Sequence, residues 1–457
     1  MVDGYSIVPK EVPKINTEYR TIQTKLPVPE SVPLIERLRA VEAYSLHWQY
    51  PIFWDRAEGV NVSDKYGNKW LDLSSGIAVA NIGHARQEVV DAIIAQAQSK
   101  MLYNFVFPSE IRLRFLEKLI GMTPDYLEKA FLMCAGSEAC ENMLKLIRKS
   151  AHLQAGPEKN VIVTFNNSFH GRTYGSQMMG GLPALKDWIV KPDTDIIQVP
   201  FPDGFYNEDL SFDSFEAALA DQNIDPNTVA GVVVEPVQGA NVHIMPKDYA
   251  QKLSKWCKAN DALFGFDEVQ MGFGRTGKLM GYMLYDVEAD IISLGKGISG
   301  STPVSATLSR KEVMDGFAPG GMTSTHTGNP VALAAALANL ELYTANNITE
   351  VAAKNGEVLQ KEVRRIAEKY DVVGVATGVG MIAGLQIVEP GTKNPQKQWA
   401  YEIIQKIIEK GCMMFAPVGF ATVKIAPPLI MEEEPMLEAM SVVDEAIGDF
   451  VKEKNLS

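Results

Sequence analysis

The stretch DIISLGKGISG, residues 290–300, runs four apolar or small residues straight into a lysine flanked by glycines. A short, continuous apolar run reads as a strand buried on both faces. Four similar runs precede it: VIVTF (161–165), DIIQV (195–199), VAGVVVEP (229–236) and ALFGFDE (262–268). From about 86 to 345 these alternate with helix-length amphipathic pieces, clearest at 137–153 and 330–345. The alternation predicts an α/β fold with a mostly parallel sheet covered by helices. Ligands of such sheets bind beyond the carboxyl ends of the strands. Glu235, Asp267 and Lys296 stand at or just past three such ends, so one crevice is expected to hold all three.

Outside this region the patterns change. Residues 1–35 carry Pro9, Pro13, Pro27, Pro29 and Pro33 with little periodicity. They read as an extended arm packing on something else, such as another subunit. Residues 58–73 alternate like a hairpin with its turn at Tyr66-Gly67-Asn68. Helices near 349–369, 397–410 and 434–454 and a strand near 380–388 predict a smaller α/β domain.

The net charge of −13 over 457 residues argues against nucleic acid or an anionic membrane as partner. Four cysteines, none in a CxxC pair, fit a reducing compartment. The start MVDGYSIVPK has no apolar signal core, and no run of membrane-spanning length is found, so a cytoplasmic location is expected.

Lys296 has three readings. A phosphate-loop lysine would be followed by Ser or Thr, and Gly297 follows here. A solvated loop lysine is the ordinary case. An amine that forms a Schiff base needs desolvation, and flanking glycines would let a cofactor come close. Asp267, in FGFDEVQMGFGRTGK (264–278), could be a metal ligand, a ribose-binding acid or the partner of a pyridinium nitrogen. Buried unpaired it would be costly, so a cation should face it. The GxGxxG at Gly272–Gly277 lies past the strand and opens no convincing helix, unlike a dinucleotide fingerprint. In CAGSEACENMLKLIRK (134–149), Gly136 and Ser137 precede a helix whose N-terminus could take a phosphate, although an ordinary N-cap serine is the commoner reading. In SFHGRTYGS (168–176), Phe169 could cover a planar ring and Arg172 could grip a carboxylate. His170 has no visible partner in the sequence and is given no catalytic role.

One cofactor would use the whole set: an aldehyde for Lys296, a ring nitrogen for Asp267, a phosphate for the helix at 137 and a ring face for Phe169. That cofactor is pyridoxal 5′-phosphate, and no metal is expected.

With these residues in place, the chain resembles the class III, fold-type I pyridoxal-phosphate aminotransferases. The resemblance runs from about residue 40 onward through SSGIAVANIGH (74–84), AGSEACEN (135–142), FHGRTYGS (169–176), EPVQG (235–239), FDEVQMGFGRTGK (266–278), SLGKG (293–297) and STHTGNP (324–330). It is greatest to 4-aminobutyrate and related ω-amino-acid aminotransferases. The resemblance implies an arm at 1–45, a small domain from 46–85 and 346–457, and a large cofactor domain at 86–345. It implies Lys296 as Schiff-base lysine, Asp267 on the ring nitrogen, Gln270 at the ring hydroxyl and Val269 opposite Phe169. It gives the phosphate to Gly136 and Ser137, and places Glu235 in the polar shell. Thr325 would reach the neighbouring subunit's cofactor, implying a homodimer with shared sites, or a tetramer. Arg172 would hold the distal carboxylate of an ω-amino acid, and Ile77 would line the pocket.

Two positions depart from relatives that alternate between an ω-amino acid and 2-oxoglutarate. Their second acid of EPVQGE is Ala240 here, and its C-terminal arginine partner is Lys424, in ATVKIAPPL. Lysine cannot form the planar fork, so a pyruvate-type acceptor, or a different way of holding the α-carboxylate, is expected. GHARQEV (83–89) also lacks the usual GHxHP form. The rival reading is an amino-acid racemase or epimerase on the same scaffold.

Overall fold

The computed structural model describes residues 4–456. It divides into two compact units. One holds the residues up to Arg86, Ala240–Val242 and those from Val351 on; the other holds Gln87–Gly239 and His243–Glu350.

The larger unit is built on seven strands: β1 (Lys129–Met133), β2 (Val161–Phe165), β3 (Ile196–Val199), β4 (Val229–Val234), β5 (Leu263–Asp267), β6 (Ile291–Leu294) and β7 (Ser305–Ser309). Their order is β1-β7-β6-β5-β4-β2-β3. Only β7 runs against its neighbours. β4, β5 and β6 lie side by side and parallel, with Phe266 opposite Val234 and Asp267 opposite Ser293. Their carboxyl ends therefore coincide.

Burial explains the apolar runs. Every residue of β2 and β4 is buried. The helix Gly136–Ala155 lays Ala139, Cys140, Met143, Leu146 and Ile147 into the core. Gly231 is needed where this helix crosses β4, since a Cβ there would stand 2.6 Å from Ile147 Cγ2. Strands β1 and β7 were not legible as apolar runs. In β7, SATLS, three hydroxyls are buried and each finds a carbonyl: Ser305 reaches Ala135 at 2.7 Å, Thr307 reaches Ala139 at 3.0 Å and Ser309 reaches Asp290 at 2.5 Å. Satisfied Ser and Thr fill strand positions that hydropathy does not register.

The other unit has a six-stranded sheet and a three-stranded antiparallel sheet, Val373–Val379, Ile382–Ile387 and Thr422–Ile425. Asn61–Ser63 and Lys69–Asp72 pair antiparallel across the expected turn, and Arg56–Glu58 adds a second hairpin. The N-terminal segment departs from the expected extended arm. Its short strands Ile15–Asn16 and Thr21–Ile22 join the six-stranded sheet, and Ile22 and Leu26 are fully buried. Tyr5 packs against Tyr50 and Tyr401 of the same chain. The prolines interrupt periodicity without preventing packing.

Two helices of this unit, Ile348–Lys369 and Glu433–Lys454, are tied at Asp444. Its carboxylate meets Arg365 and Lys369, each at 2.6 Å, and Tyr370 at 2.7 Å. Burial raises the Asp444 pKa, but the bonds to Lys369, Tyr370 and Arg365 outweigh it and bring it to about 2. A depressed carboxylate contributes stability above its unfolded pKa and loses it as pH falls through the folded value. Both cations are near half exposed, so Asp444→Asn should cost about 1 kcal/mol at pH 7 and far less near pH 2, measured by urea unfolding.

Candidate active site

The aligned ends of β4, β5 and β6 place Glu235, Asp267 and Lys296 at one edge of the larger unit's sheet. Lys296 follows Gly295 and takes a left-handed φ of 43°. Its Nζ donates to Gln270 Oε1 at 3.1 Å, and Gln270 Nε2 donates to the Gly239 carbonyl at 2.9 Å. From the helix Pro330–Ala345, fully buried Asn339 donates to the carbonyls of Gly297 and Ile298, fixing the turn after the lysine. Burial draws the Lys296 ammonium pKa down, against the opposing charges of Asp267 and Glu235. Desolvation makes a lysine amine a better base or nucleophile than a solvated one.

Asp267 is buried and heavily bonded. Oδ1 accepts the Val269 N–H at 3.0 Å and the Ser293 hydroxyl at 3.4 Å. Oδ2 faces His170 Nδ1 at 2.8 Å and Cys140 Sγ at 3.3 Å. His170 was passed over in the sequence, yet it is the cation-capable group that Asp267 required. Burial lowers its pKa, but the Asp267 bond and charge and the nearby Glu235 more than reverse this, so it is raised. The signal available was a histidine five residues past the end of β2, on the same carboxyl edge of the sheet as the buried acids. Cys140, His170 and Asp267 also have a metal-like grouping. The 2.8 Å separation of Nδ1 and Oδ2 is that of a direct hydrogen bond between the two side chains.

Glu235 accepts the Phe169 N–H at 2.8 Å and the Gly239 N–H at 2.7 Å. Burial, partly offset by His170 and reinforced by Asp267, pushes its carboxyl up to about 7.

An anion cradle lies beside these groups. The helix Gly136–Ala155 starts with the N–H groups of Gly136 and Ser137 bonded to no acceptor among the described residues. Glu138 turns back to accept the Ala135 N–H at 2.8 Å, which satisfies the residue before the helix and leaves those two donors aimed outward. A side chain at Gly136 is excluded, because its Cβ would stand 2.5 Å from Val269 Cγ1. Gly171 has φ +135°, and a Cβ there would lie 2.4 Å from Ser137 Oγ. The Arg172 N–H donates to Ser137 Oγ at 3.1 Å, and its guanidinium sits 5.4 Å from the Phe169 ring centroid.

An amine of lowered pKa, a bonded aspartate–histidine pair and a bare helix N-terminus fit an aldehyde-bearing pyridine phosphate in donor set. Thr325 lies on an exposed loop before Pro330–Ala345. Ile77 and Lys424 belong to the other unit. Ile77 is 40% exposed on a left-handed turn. Lys424 is buried in the strand Thr422–Ile425, with Nζ 4.4 Å above the Phe415 ring.

The fold and these residues define a pyridoxal-phosphate-dependent transferase of fold type I. Residues 44–447 match the family model for aminotransferase class-III, and the chain belongs to that family. It is 33% identical over 403 residues to the acetylornithine aminotransferase of Caldanaerobacter subterraneus subsp. tengcongensis, covering 88% of this chain and 96% of that one. It is 29% identical over 448 residues to the 4-aminobutyrate aminotransferase of Mycobacterium leprae, covering 94% and 98%. Among solved structures it is similar to a PLP-bound amine transaminase from an uncultivated Pseudomonas species, with TM-score 0.83, 26% identity and coverage of 90% and 97%. A thermostable omega transaminase from Pseudomonas jessenii, a 4-fold mutant, gives TM-score 0.84 at 26% identity, covering 92% and 99%. The chain is an aminotransferase and its cofactor is pyridoxal 5′-phosphate. No described helix is long and apolar enough to cross a membrane.

Proposed function

We propose that this aminotransferase takes its amino group from an ω-amino acid, such as 4-aminobutyrate or a relative with a terminal amine and a distant carboxylate. The acceptor is a 2-oxo acid of the pyruvate type. The observation that carries the donor side is Arg172: an exposed guanidinium stacked on Phe169, one residue past Gly171 in the chain segment that borders the anion cradle. Its planar fork suits a carboxylate held at a distance from the reacting amine.

The cofactor, when bound, supplies an aldehyde for amines and a ring that accepts electrons from the substrate carbon. The chain's residues do the rest. Lys296 Nζ, desolvated, would be the base that moves a proton at the donor carbon. Asp267, steadied by His170, Val269 N–H and Ser293, keeps an anion at the ring nitrogen. Gln270 orients the amine of Lys296. Gly136 and Ser137 N–H groups would hold the phosphate, Phe169 and Val269 would bound the ring, and Glu235 fixes the Phe169 backbone. Thr325 serves the neighbouring subunit of a homodimer, and Ile77 meets the amino donor.

The acceptor reading rests on Ala240 and Lys424. Ala240 offers no carboxylate, and the Lys424 ammonium is buried over an aromatic face, a placement that favours a single point-charge contact over a bidentate one. A short acid with one carboxylate beside its carbonyl meets that need. With 4-aminobutyrate as donor, kcat/KM for pyruvate should exceed that for 2-oxoglutarate by about tenfold or more. A marked preference for 2-oxoglutarate refutes the acceptor assignment.

A further inference from the structure

Four successive residues, Ser75, Gly76, Ile77 and Ala78, have φ of 50°, 56°, 67° and 57°. This is a turn of left-handed helix, and three of the four carry a Cβ that disfavours it. Ile77, β-branched, is the least suited, yet its side chain is 40% exposed and so is not placed there by core packing. Strain of this kind persists only where the surroundings impose it, and it collects at functional sites.

Asp72, fully buried at the end of the strand Lys69–Asp72, imposes it. Oδ1 accepts the Ser74 N–H at 2.7 Å and the Ser74 hydroxyl at 2.6 Å. Oδ2 accepts the Gly76 N–H at 3.2 Å and meets His84 Nε2 at 2.7 Å. His84 is itself anchored. Its N–H donates to the Gly59 carbonyl at 2.8 Å, and its carbonyl accepts the Gly59 N–H at 3.0 Å. Trp54 packs edge-on against its ring. On the other side of the turn, the Ser75 hydroxyl donates to the Ala426 carbonyl at 2.6 Å. Without His84, Oδ2 loses its only side-chain partner among the described residues and keeps only the 3.2 Å bond from the Gly76 N–H, which Gly76 shares with Ser74 Oγ at 3.2 Å, so the hold on the turn is weakened while Ser74 still anchors Oδ1.

We propose that Asp72 and His84 are positioning residues for donor recognition: a latch that keeps residues 75–78 left-handed and so fixes where Ile77 meets the amino donor. The proposal rests on the reading of Ile77 given above. It also gives a role to the histidine of GHARQEV.

The test compares wild type, His84→Ala and His84→Gln as holoenzymes, with 4-aminobutyrate as donor and pyruvate as acceptor, and repeats His84→Ala in an Ile77→Ala background. His84→Ala should raise the donor KM about tenfold with kcat within about twofold. His84→Gln, which can still donate to Oδ2, should return KM to within about threefold of wild type. In the Ile77→Ala background, His84→Ala should move KM less than about twofold, since the two act as one unit. Amide exchange at 74–79 should quicken in His84→Ala and recover in His84→Gln. An unchanged KM with only a lowered Tm overturns the proposal, as do multiplicative effects of His84 and Ile77. Should wild type turn over no ω-amino acid, the functional reading fails, and exchange at 74–79 still decides the latch: no change in His84→Ala overturns it.

Discussion

Lys296→Ala should turn over no amino donor at a measurable rate, a loss of about 10⁴-fold or more, while its far-UV circular dichroism and unfolding transition stay close to wild type. On the proposed assignment the side chain supplies both the amine that joins the cofactor and the base that moves the proton, so both functions should vanish together. The fold has little to lose. Among the described residues Nζ makes one hydrogen bond, to Gln270, and alanine is no worse than lysine at the left-handed φ of 43°. Removing an ammonium from a desolvated position also removes its burial cost. Turnover near the wild-type level would defeat the assignment of Lys296. Loss of the unfolding transition would mean that the lysine is structural.

Asp267→Asn should lower kcat by about 10²–10⁴-fold and change donor KM much less, because the carboxylate matters most when negative charge has moved into the ring. Asparagine preserves size and can still accept the Val269 N–H, so the backbone at the end of β5 stays in place. What disappears is the carboxylate charge, which the proposed assignment sets at the ring nitrogen, and with it the anionic partner of His170. Since the bond and charge of Asp267 are what raise the His170 pKa against its burial, the histidine should titrate at a lower pH in this variant. Steady-state kinetics together with an NMR titration of His170 check both statements. Undiminished kcat would remove Asp267 from the chemistry.

Much of the larger unit could be read along the chain because its strands are buried on both faces and so are apolar throughout. The same property located Glu235, Asp267 and Lys296: a polar residue ending such a run must stand at the carboxyl edge. Readability failed where tertiary partners replace hydropathy. β7 hides behind hydroxyls that bond to Ala135, Ala139 and Asp290 carbonyls. His170 has no local partner, and its meeting with Asp267 across 97 positions follows only from the strand order. The left-handed turn at 75–78 has one glycine and no turn-forming pattern strong enough to announce it; Asp72 and His84 create it from outside. Ala240–Val242 runs with the residues of the chain ends and not with the segment in which it lies. The proline-rich start reads as an extended arm packing on something else, such as another subunit, because proline erases the periodicity by which buried Ile22 and Leu26 would be recognised.

The most direct test of the account is chemical. Pyridoxal-phosphate-loaded protein is reduced with borohydride, digested, and its peptides mapped by mass spectrometry. The reduced pyridoxyl group is predicted on the peptide containing SLGKGISG, at Lys296 and nowhere else in stoichiometric amount. Stoichiometric labelling of a different lysine, or a loaded protein that cannot be labelled at all, would contradict it.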